Sequence, residues 1–246
     1  MKLQFLGSGD AFASGGRFNA CFHLTGQTTN LLIDCGATSL VAMRNYGVEP
    51  NDVQAIAVTH FHADHFGGIP FFILDAQLVS KRRVPLTIVG PQGLVDRYRI
   101  VMEAAFVGSS EIPLNFDLVL QEVRPGASVE LGTAVVRVFQ GLHDSIDRTF
   151  HIYRFELGDK TLAYTGDTAW TDEIIRAGRG ADLLIAEAYY YEKSVRNHLS
   201  LKVLEARLGE IGARRVILTH MSTDMLSRIS ELPYEFAIDG KIIELD

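Results

Sequence analysis

Val58-Thr-His-Phe-His-Ala-Asp-His-Phe-Gly-Gly68 decides how this chain reads, because VTHFHADHFGG sets three histidines and one aspartate within six residues. The run ahead of it, DVQAIAVTH (52–60), reads as a buried strand, and the segment after Gly68 reads as a helix to about Leu78. His60 therefore ends a strand, while His62, Asp64 and His65 lie in the turn into a helix, with Gly67 and Gly68 allowing a tight bend behind them. Packing gains nothing from such crowding. Imidazole and carboxylate together suit zinc, and after it manganese or iron. Four ligands so close in sequence rarely surround one ion with tetrahedral angles, so two ions sharing the cluster is the easier geometry.

Further ligands then have to come from elsewhere, and three residues offer themselves in matching contexts. His143 follows the strand AVVRVFQGL, Asp167 follows TLAYTG, and His220 follows RRVILT. Each is a ligand-type side chain directly after an apolar strand, where loops on a rigid scaffold collect functional groups. His23 and His151 read instead as packed or surface histidines.

Outward from the cluster, KLQFL (2–6), ACFHLTG, TNLLIDCG and LTIVG (86–90) read as strands. TSLVAMRNYG (38–47) reads as a helix, and PQGLVDRYRIVMEAAFV (91–107) as a helix opened by its proline. The second half repeats the theme: FDLVLQEV, ASVELG, AVVRVFQGLH, FHIYRFELGD, KTLAYTGD, ADLLIAEA and RRVILTH are strands, and AWTDEIIRAG and LSLKVLEARLGEIG are helices. The closing segments YEFAID and KIIELD are expected to form a hairpin at Asp239-Gly240. Apolar faces on both strands and helices imply layers in the order helices, sheet, sheet, helices. The expected fold is α/β, a four-layer αββα sandwich, and no linker or repeat divides residues 1–246, which read as a single domain.

With 246 residues, 47% apolar and 22% charged, the chain can bury a large core without disulfides. A net charge of −7 excludes a generally basic nucleic-acid surface, and Lys81-Arg82-Arg83 and Arg214-Arg215 read as solvated charges. The two cysteines, Cys21 and Cys35, read as reduced, buried thiols of a cytoplasmic protein. MKLQFLGSGD meets a glycine after six residues, too early for a signal peptide, and no run reaches a membrane span, so no membrane association is expected. LGSGDAFASGG lacks the Lys-Ser/Thr ending of a P-loop and reads as a flexible loop near the site mouth; Tyr189, Tyr190, Tyr191 and Phe61 are candidates to line the pocket.

His60-x-His62-x-Asp64-His65, with LLIDCG around Asp34 and the later His143, Asp167 and His220, resembles the metallo-β-lactamase superfamily over nearly the whole chain. The resemblance implies that His60, His62 and His143 hold one zinc ion, that Asp64, His65 and His220 hold a second, and that Asp167 bridges them. Asp34 would brace a ligand or the loop, or cap the helix near Thr38. Within the superfamily, YTGDT (164–168), AEAYY (186–190), NHLS (197–200), LTHMS (218–222) and the loop LGSGDAF…RFN resemble the ribonuclease Z branch of phosphodiesterases. That likeness gives Glu187 and His198 the role of a pair protonating the leaving group. The branch's His-Ser-Thr is here His198-Leu199-Ser200, and the stretch from His143 to Asp167 is too short for the arm with which ribonuclease Z grips tRNA. A tRNA substrate is therefore doubtful, and a smaller phosphodiester or cyclic nucleotide fits more easily. A homodimer is implied by the same likeness.

The expected activity is a dinuclear metal-dependent hydrolase, most simply of phosphodiester bonds in small or nucleotide-type substrates, using a metal-bridging hydroxide oriented by Asp64 and Asp167. The alternative is a lactone, thioester or other carboxylic ester hydrolase on the same site. A diiron redox site of the superfamily would carry glutamate where His62 stands, and a non-catalytic relative would have lost ligands that are all present here.

Overall fold

The computed structural model describes residues 1–143 and 150–246. Its strands form two seven-stranded sheets. The first sheet contains β1 (Lys2–Gly7), β2 (Cys21–Gly26), β3 (Thr29–Ile33), β4 (Ala55–Ala57), β5 (Leu86–Gly90) and β6 (Leu118–Glu122), side by side in that order. The second runs β7 (Ser128–Leu131), β8 (Ala134–Gln140), β9 (His151–Leu157), β10 (Lys160–Tyr164), β11 (Leu183–Glu187), β12 (Val216–Thr219) and β13 (Glu235–Phe236). β14 (Ile242–Glu244) crosses back to pair antiparallel with β1.

The period-two pattern of the strands explains the layering. On β3, Leu31 and Ile33 enter the core between the sheets, while Leu32 faces the other way. On β11, Leu183 and Ile185 point inward, and Leu184 and Ala186 outward. The outer face of the first sheet is covered by α1 (Ser39–Asn45), α3 (Ile69–Leu78) and α4 (Leu94–Ala105), through Met43, Phe72, Ile73, Leu94 and Met102. The short α2 (Ala63–Phe66) precedes α3. The second sheet is covered by α5 (Glu173–Gly178), α6 (Leu201–Glu205), α7 (Leu208–Ile211) and α8 (Thr223–Leu226), through Ile174, Leu201, Leu204, Ile211 and Met225. This is the expected αββα sandwich.

Strand direction positions the site. β3, β4 and β5 are parallel, as are β10, β11 and β12. β8 and β10 are both antiparallel to β9 and so run the same way. The carboxyl ends of β3, β4, β8, β10, β11 and β12 therefore carry their following loops to one rim of the sandwich, the usual location of sites in such sheets.

Four sequence expectations are corrected. The hairpin at Asp239-Gly240 does not form: β13 pairs with β12 in one sheet and β14 with β1 in the other. Asp239 instead ties the crossover to the amino-terminal loop, accepting hydrogen bonds from the Ser8 amide at 2.8 Å and the Phe18 amide at 2.7 Å. The helix expected from Pro91 begins at Leu94, after Gly93 in a left-handed conformation with φ 89°. LSLKVLEARLGEIG breaks into α6 and α7, because the Arg207 amide bonds back to Leu204, a tightened turn that interrupts the α-helical ladder. Arg82 is no solvated charge. It is fully buried, donating to the carbonyls of Val84 (2.9 Å), Pro50 (3.1 Å), Val53 (2.6 Å) and Pro85 (2.7 Å). Arg214 is exposed and paired with Asp182, and Arg215 is half-buried and paired with Glu235. Cys21 and Cys35 are buried free thiols, and no helix among the described residues is long and apolar enough to cross a membrane.

Candidate metal centre

The loop after β4 carries His60, His62, Asp64 and His65, and it is laced to the loop after β3. The Cys35 amide donates to the His65 carbonyl at 2.7 Å, and the Gly68 amide to the Cys35 carbonyl at 2.9 Å. Glycine is required for closeness here. A Cβ on Gly36 would lie 2.1 Å from the Asp64 carbonyl oxygen, and one on Gly68 would lie 2.2 Å from the Gly36 carbonyl oxygen. Gly67 and Gly68 themselves have ordinary right-handed φ of −66° and −80°, so the expected special bend is not their purpose.

Asp34, itself left-handed at φ 59°, is the brace of this junction. Its carboxylate accepts from the Thr59 amide (2.7 Å), the Thr59 hydroxyl (2.9 Å) and His65 Nδ1–H (2.7 Å). It caps no helix; α1 has Thr38 at its N-cap and no side-chain cap. The Thr59 hydroxyl, having donated its proton to Asp34, accepts from His60 Nδ1–H at 3.1 Å. On the opposite side, His143 Nδ1–H donates to the Asn197 carbonyl at 2.6 Å. In His60, His65 and His143 one ring nitrogen is thus occupied by a protein acceptor, which fixes the tautomer and leaves Nε2 with its lone pair.

These lone pairs converge in two groups. Ligand atoms of His60, His62 and His143 lie within 4.8 Å of one another, and so do those of Asp64, His65, Asp167 and His220. The groups adjoin: the His60 ring centroid is 4.2 Å from that of His65. Asp167 lies 3.2 Å from His65 Nε2 through one oxygen and 3.2 Å from His220 Nε2 through the other. His220 Nε2 also meets Asp64 at 3.1 Å. His220 is held in a left-handed conformation, φ 56°, with its amide bonded to the Ser8 carbonyl at 3.2 Å. Non-glycine residues adopt that conformation at a cost and cluster at functional sites.

Whether these residues suit a metal is decided by their polar atoms. His60 Nε2, His65 Nε2 and Asp167 Oδ1 are buried without a hydrogen bond of good geometry. Such orphaned donor-set atoms are what a cation satisfies. The electrostatics agree. Burial opposes charge on His65, yet Asp167, Asp64 and Asp34 push it well above the usual imidazole range. Burial likewise opposes charge on His220, and Asp167, Asp64 and Glu187 push it up to about 10. Burial opposes ionisation of Asp64 and Asp167 too, but His65 and His220 hold both carboxyls well below the usual carboxylate range. A pocket that concentrates this much negative charge attracts cations. Burial, followed by neighbouring imidazoles, lowers His60 and His62 and keeps them neutral, the form that ligates.

Beside the second group stands Glu187, fully buried at the end of β11. One oxygen accepts from the Thr168 amide (2.8 Å) and the Leu199 amide (3.2 Å). The other accepts from His198 Nδ1–H. The His198 side chain remains 23% exposed, so the pair faces the mouth of the site. Burial lowers the pKa of His198, but the bond to Glu187 and its charge outweigh this and raise it.

All the residues singled out from sequence, His60, His62, Asp64, His65, His143, Asp167, Glu187, His198 and His220, meet at this rim. Of the pocket candidates, Phe61 packs edge-on against Phe66 (5.3 Å), and Tyr191 lies under Lys202 and Arg228. Tyr189 alone stacks on a site residue, His198. The amino-terminal loop does lie at the site, through the Ser8 carbonyl. Sequence reasoning missed Thr59 and Thr168, whose hydroxyl and amide orient Asp34, His60 and Glu187; the threonine beside each acidic or imidazole residue was the available signal. His23 bonds Asn30 and His151 approaches the Tyr153 hydroxyl, and neither joins a ligand group.

Residues 1–240 match the profile of the Anti-Pycsar protein Apyc1 family. The chain belongs to that family. It is also 36% identical to a ribonuclease Z of Agathobacter rectalis over 279 residues, covering 95% of this chain and 91% of the relative. Human tRNase Z, short form, has the same fold, with a TM-score of 0.80, 24% identity and full coverage of both chains. The metallo-β-lactamase fold protein YhfI from Bacillus subtilis superposes with a TM-score of 0.78 at 20% identity, over 99% of each chain. The fold is thus the metallo-β-lactamase sandwich, in its ribonuclease Z-like form. The alignment with the Agathobacter rectalis protein spans 279 positions, more than the 246 residues present here, so that relative carries residues this chain lacks.

Proposed function

We propose that this protein is a metal-dependent hydrolase of phosphodiester bonds in small or nucleotide-type substrates, working with two divalent ions, zinc first and Mn2+ or Fe2+ after it. His60, His62 and His143 would hold one ion, Asp64, His65 and His220 the other, with Asp167 shared. Bound there, such ions supply Lewis-acid neutralisation of phosphoryl charge and lower the pKa of a shared water toward about 7. Asp64 and Asp167 would orient such a water through their carboxylates. His198, tethered by Glu187, then delivers a proton to the departing oxygen.

The observation that carries the reading is the Glu187–His198 pair at the mouth, beside both ligand groups. An alkoxide leaving a phosphodiester needs a proton donor, and this pair is built as one. Ribonuclease Z kinship supports the same bond class, and the family's name adds an action against Pycsar. The short stretch from His143 to Asp167, of which 144–149 lie outside the described residues, supports a substrate smaller than tRNA. Ligands drawn from both sheets support one domain over 1–246. The free thiols Cys21 and Cys35 support a reducing compartment, the cytoplasm, and kinship supports a homodimer. Metal analysis followed by a panel of bis-aryl phosphate, cyclic nucleotide, lactone and thioester tests the proposal. Turnover of the phosphate esters alone is expected; preference for the carboxylic esters overturns it.

A further inference from the structure

His198 is held at one atom only by Glu187. A single bond from Nδ1 to a carboxylate restrains that nitrogen but leaves the ring room to rock about its own side-chain bonds, and burial does not prevent it, since 23% of the side chain is exposed. The nearest ring facing that plane is Tyr189, while the His220 ring lies near-parallel to His198 farther off, at 5.9 Å and 15°. The Tyr189 ring stacks on His198 at a centroid distance of 4.4 Å and an interplanar angle of 24°. The His143 ring meets His198 edge-on at 4.5 Å and 81°. Tyr189 is itself rigid. Its amide donates to the Leu199 carbonyl at 2.9 Å, its carbonyl accepts from the Ser222 amide at 3.1 Å, and the Tyr190 ring stands edge-on to it at 4.8 Å.

We infer that Tyr189 is a positioning residue. Its aromatic face sets the plane of His198, so that the nitrogen not bound to Glu187 points at the oxygen leaving the substrate. The inference rests on His198 being the proton donor. The phenol hydroxyl has no part in it; the flat face does. The hydrogen bond to Glu187 and the close stack on Tyr189 restrain the ring in different directions, and the His143 edge and the more distant His220 ring border it without covering that face as closely. Proton transfer is sensitive to this, because small misalignments of a reacting group cost large factors in rate.

The test compares Tyr189→Phe, which keeps the face, with Tyr189→Leu, which removes it, alongside His198→Ala, in the metal-loaded enzyme. Each is measured on an alkyl phosphodiester, whose leaving oxygen needs a proton, and on an activated aryl phosphodiester, whose leaving oxygen does not. Tyr189→Leu is expected to lose about tenfold or more in kcat on the alkyl ester, with little change in KM and little loss on the aryl ester. Tyr189→Phe is expected to match the parent. A second readout is independent of turnover: the ring-proton resonance of His198, shielded by the stacked face, is expected to move downfield in Tyr189→Leu and to stay in place in Tyr189→Phe. Equal losses by Tyr189→Leu on both esters, or an unmoved His198 resonance, overturn the inference. If His198→Ala itself fails to discriminate between the esters, the acid role falls and the inference with it. If His198→Ala discriminates and Tyr189→Leu does not, the inference alone falls.

Discussion

The Asp34 carboxylate accepts the Nδ1 proton of His65 at 2.7 Å while also holding the amide and hydroxyl of Thr59. One buried side chain therefore aims the Nε2 atoms of two imidazoles, His65 directly and His60 through Thr59. Asp34→Asn would present an amide N–H to a donor already in place. We expect metal affinity at the Asp64, His65 and His220 group to fall about 10- to 100-fold, the usual cost of losing such a support. Competition against a graded series of chelators measures it, and unchanged affinity contradicts the bracing role.

Asp167 has an oxygen toward each of His65 and His220, and His60 and His62 also feel its charge. Asp167→Ala is expected to lower metal content from two ions per chain toward one. Elemental analysis showing the parental stoichiometry would remove the bridging assignment.

His198→Ala is expected to slow esters with poor leaving groups by roughly 10²- to 10⁴-fold, the range of a general acid, and to spare activated aryl esters. Steady-state rates on the two ester types decide this. Similar losses on both would take His198 out of the acid role.

The pH dependence has a definite sign. A donor works only while protonated, so its activity is present below its pKa and lost above it. Burial depresses His198, but Glu187 raises it above 6.5, the ordinary value. Removing that support, Glu187→Gln should therefore shift the alkaline limb of kcat to lower pH. A limb that does not move between parent and variant refutes the coupling.

Arg82 serves the fold rather than the site. Its guanidinium satisfies four carbonyls in the segments leading into β4 and β5. Arg82→Met keeps the volume and orphans those acceptors, each worth about 1–3 kcal/mol when buried and unpaired. A loss of at least about 3 kcal/mol is expected in urea unfolding. A change within about 0.5 kcal/mol, typical of a surface substitution, would show that the carbonyls find other partners.

The layers were legible because burial writes a period of two into strands such as TNLLI and LLIAE, and a one-residue slip would invert their faces. The candidate donor set was legible because seven metal-type side chains follow apolar strands, a pattern that packing does not produce. The hairpin was misread for a related reason: Asp-Gly marks a reversal of the chain, but it does not say which sheet the next strand joins. That choice depended on Asp239 reaching Ser8 and Phe18, 231 and 221 residues away in sequence.

The sequence by itself determined the alternation of strands and helices, the chemical type of the donor set and the loops that carry it, because these follow from local periodicity and residue chemistry. Only the tertiary structure decided that Asp34 braces His65 instead of capping a helix, that Arg82 is buried, and that Tyr189, alone of the consecutive tyrosines 189–191, lies against His198. Those outcomes turn on which distant groups arrive within hydrogen-bonding or van der Waals reach, and short-range pattern carries no record of such distances.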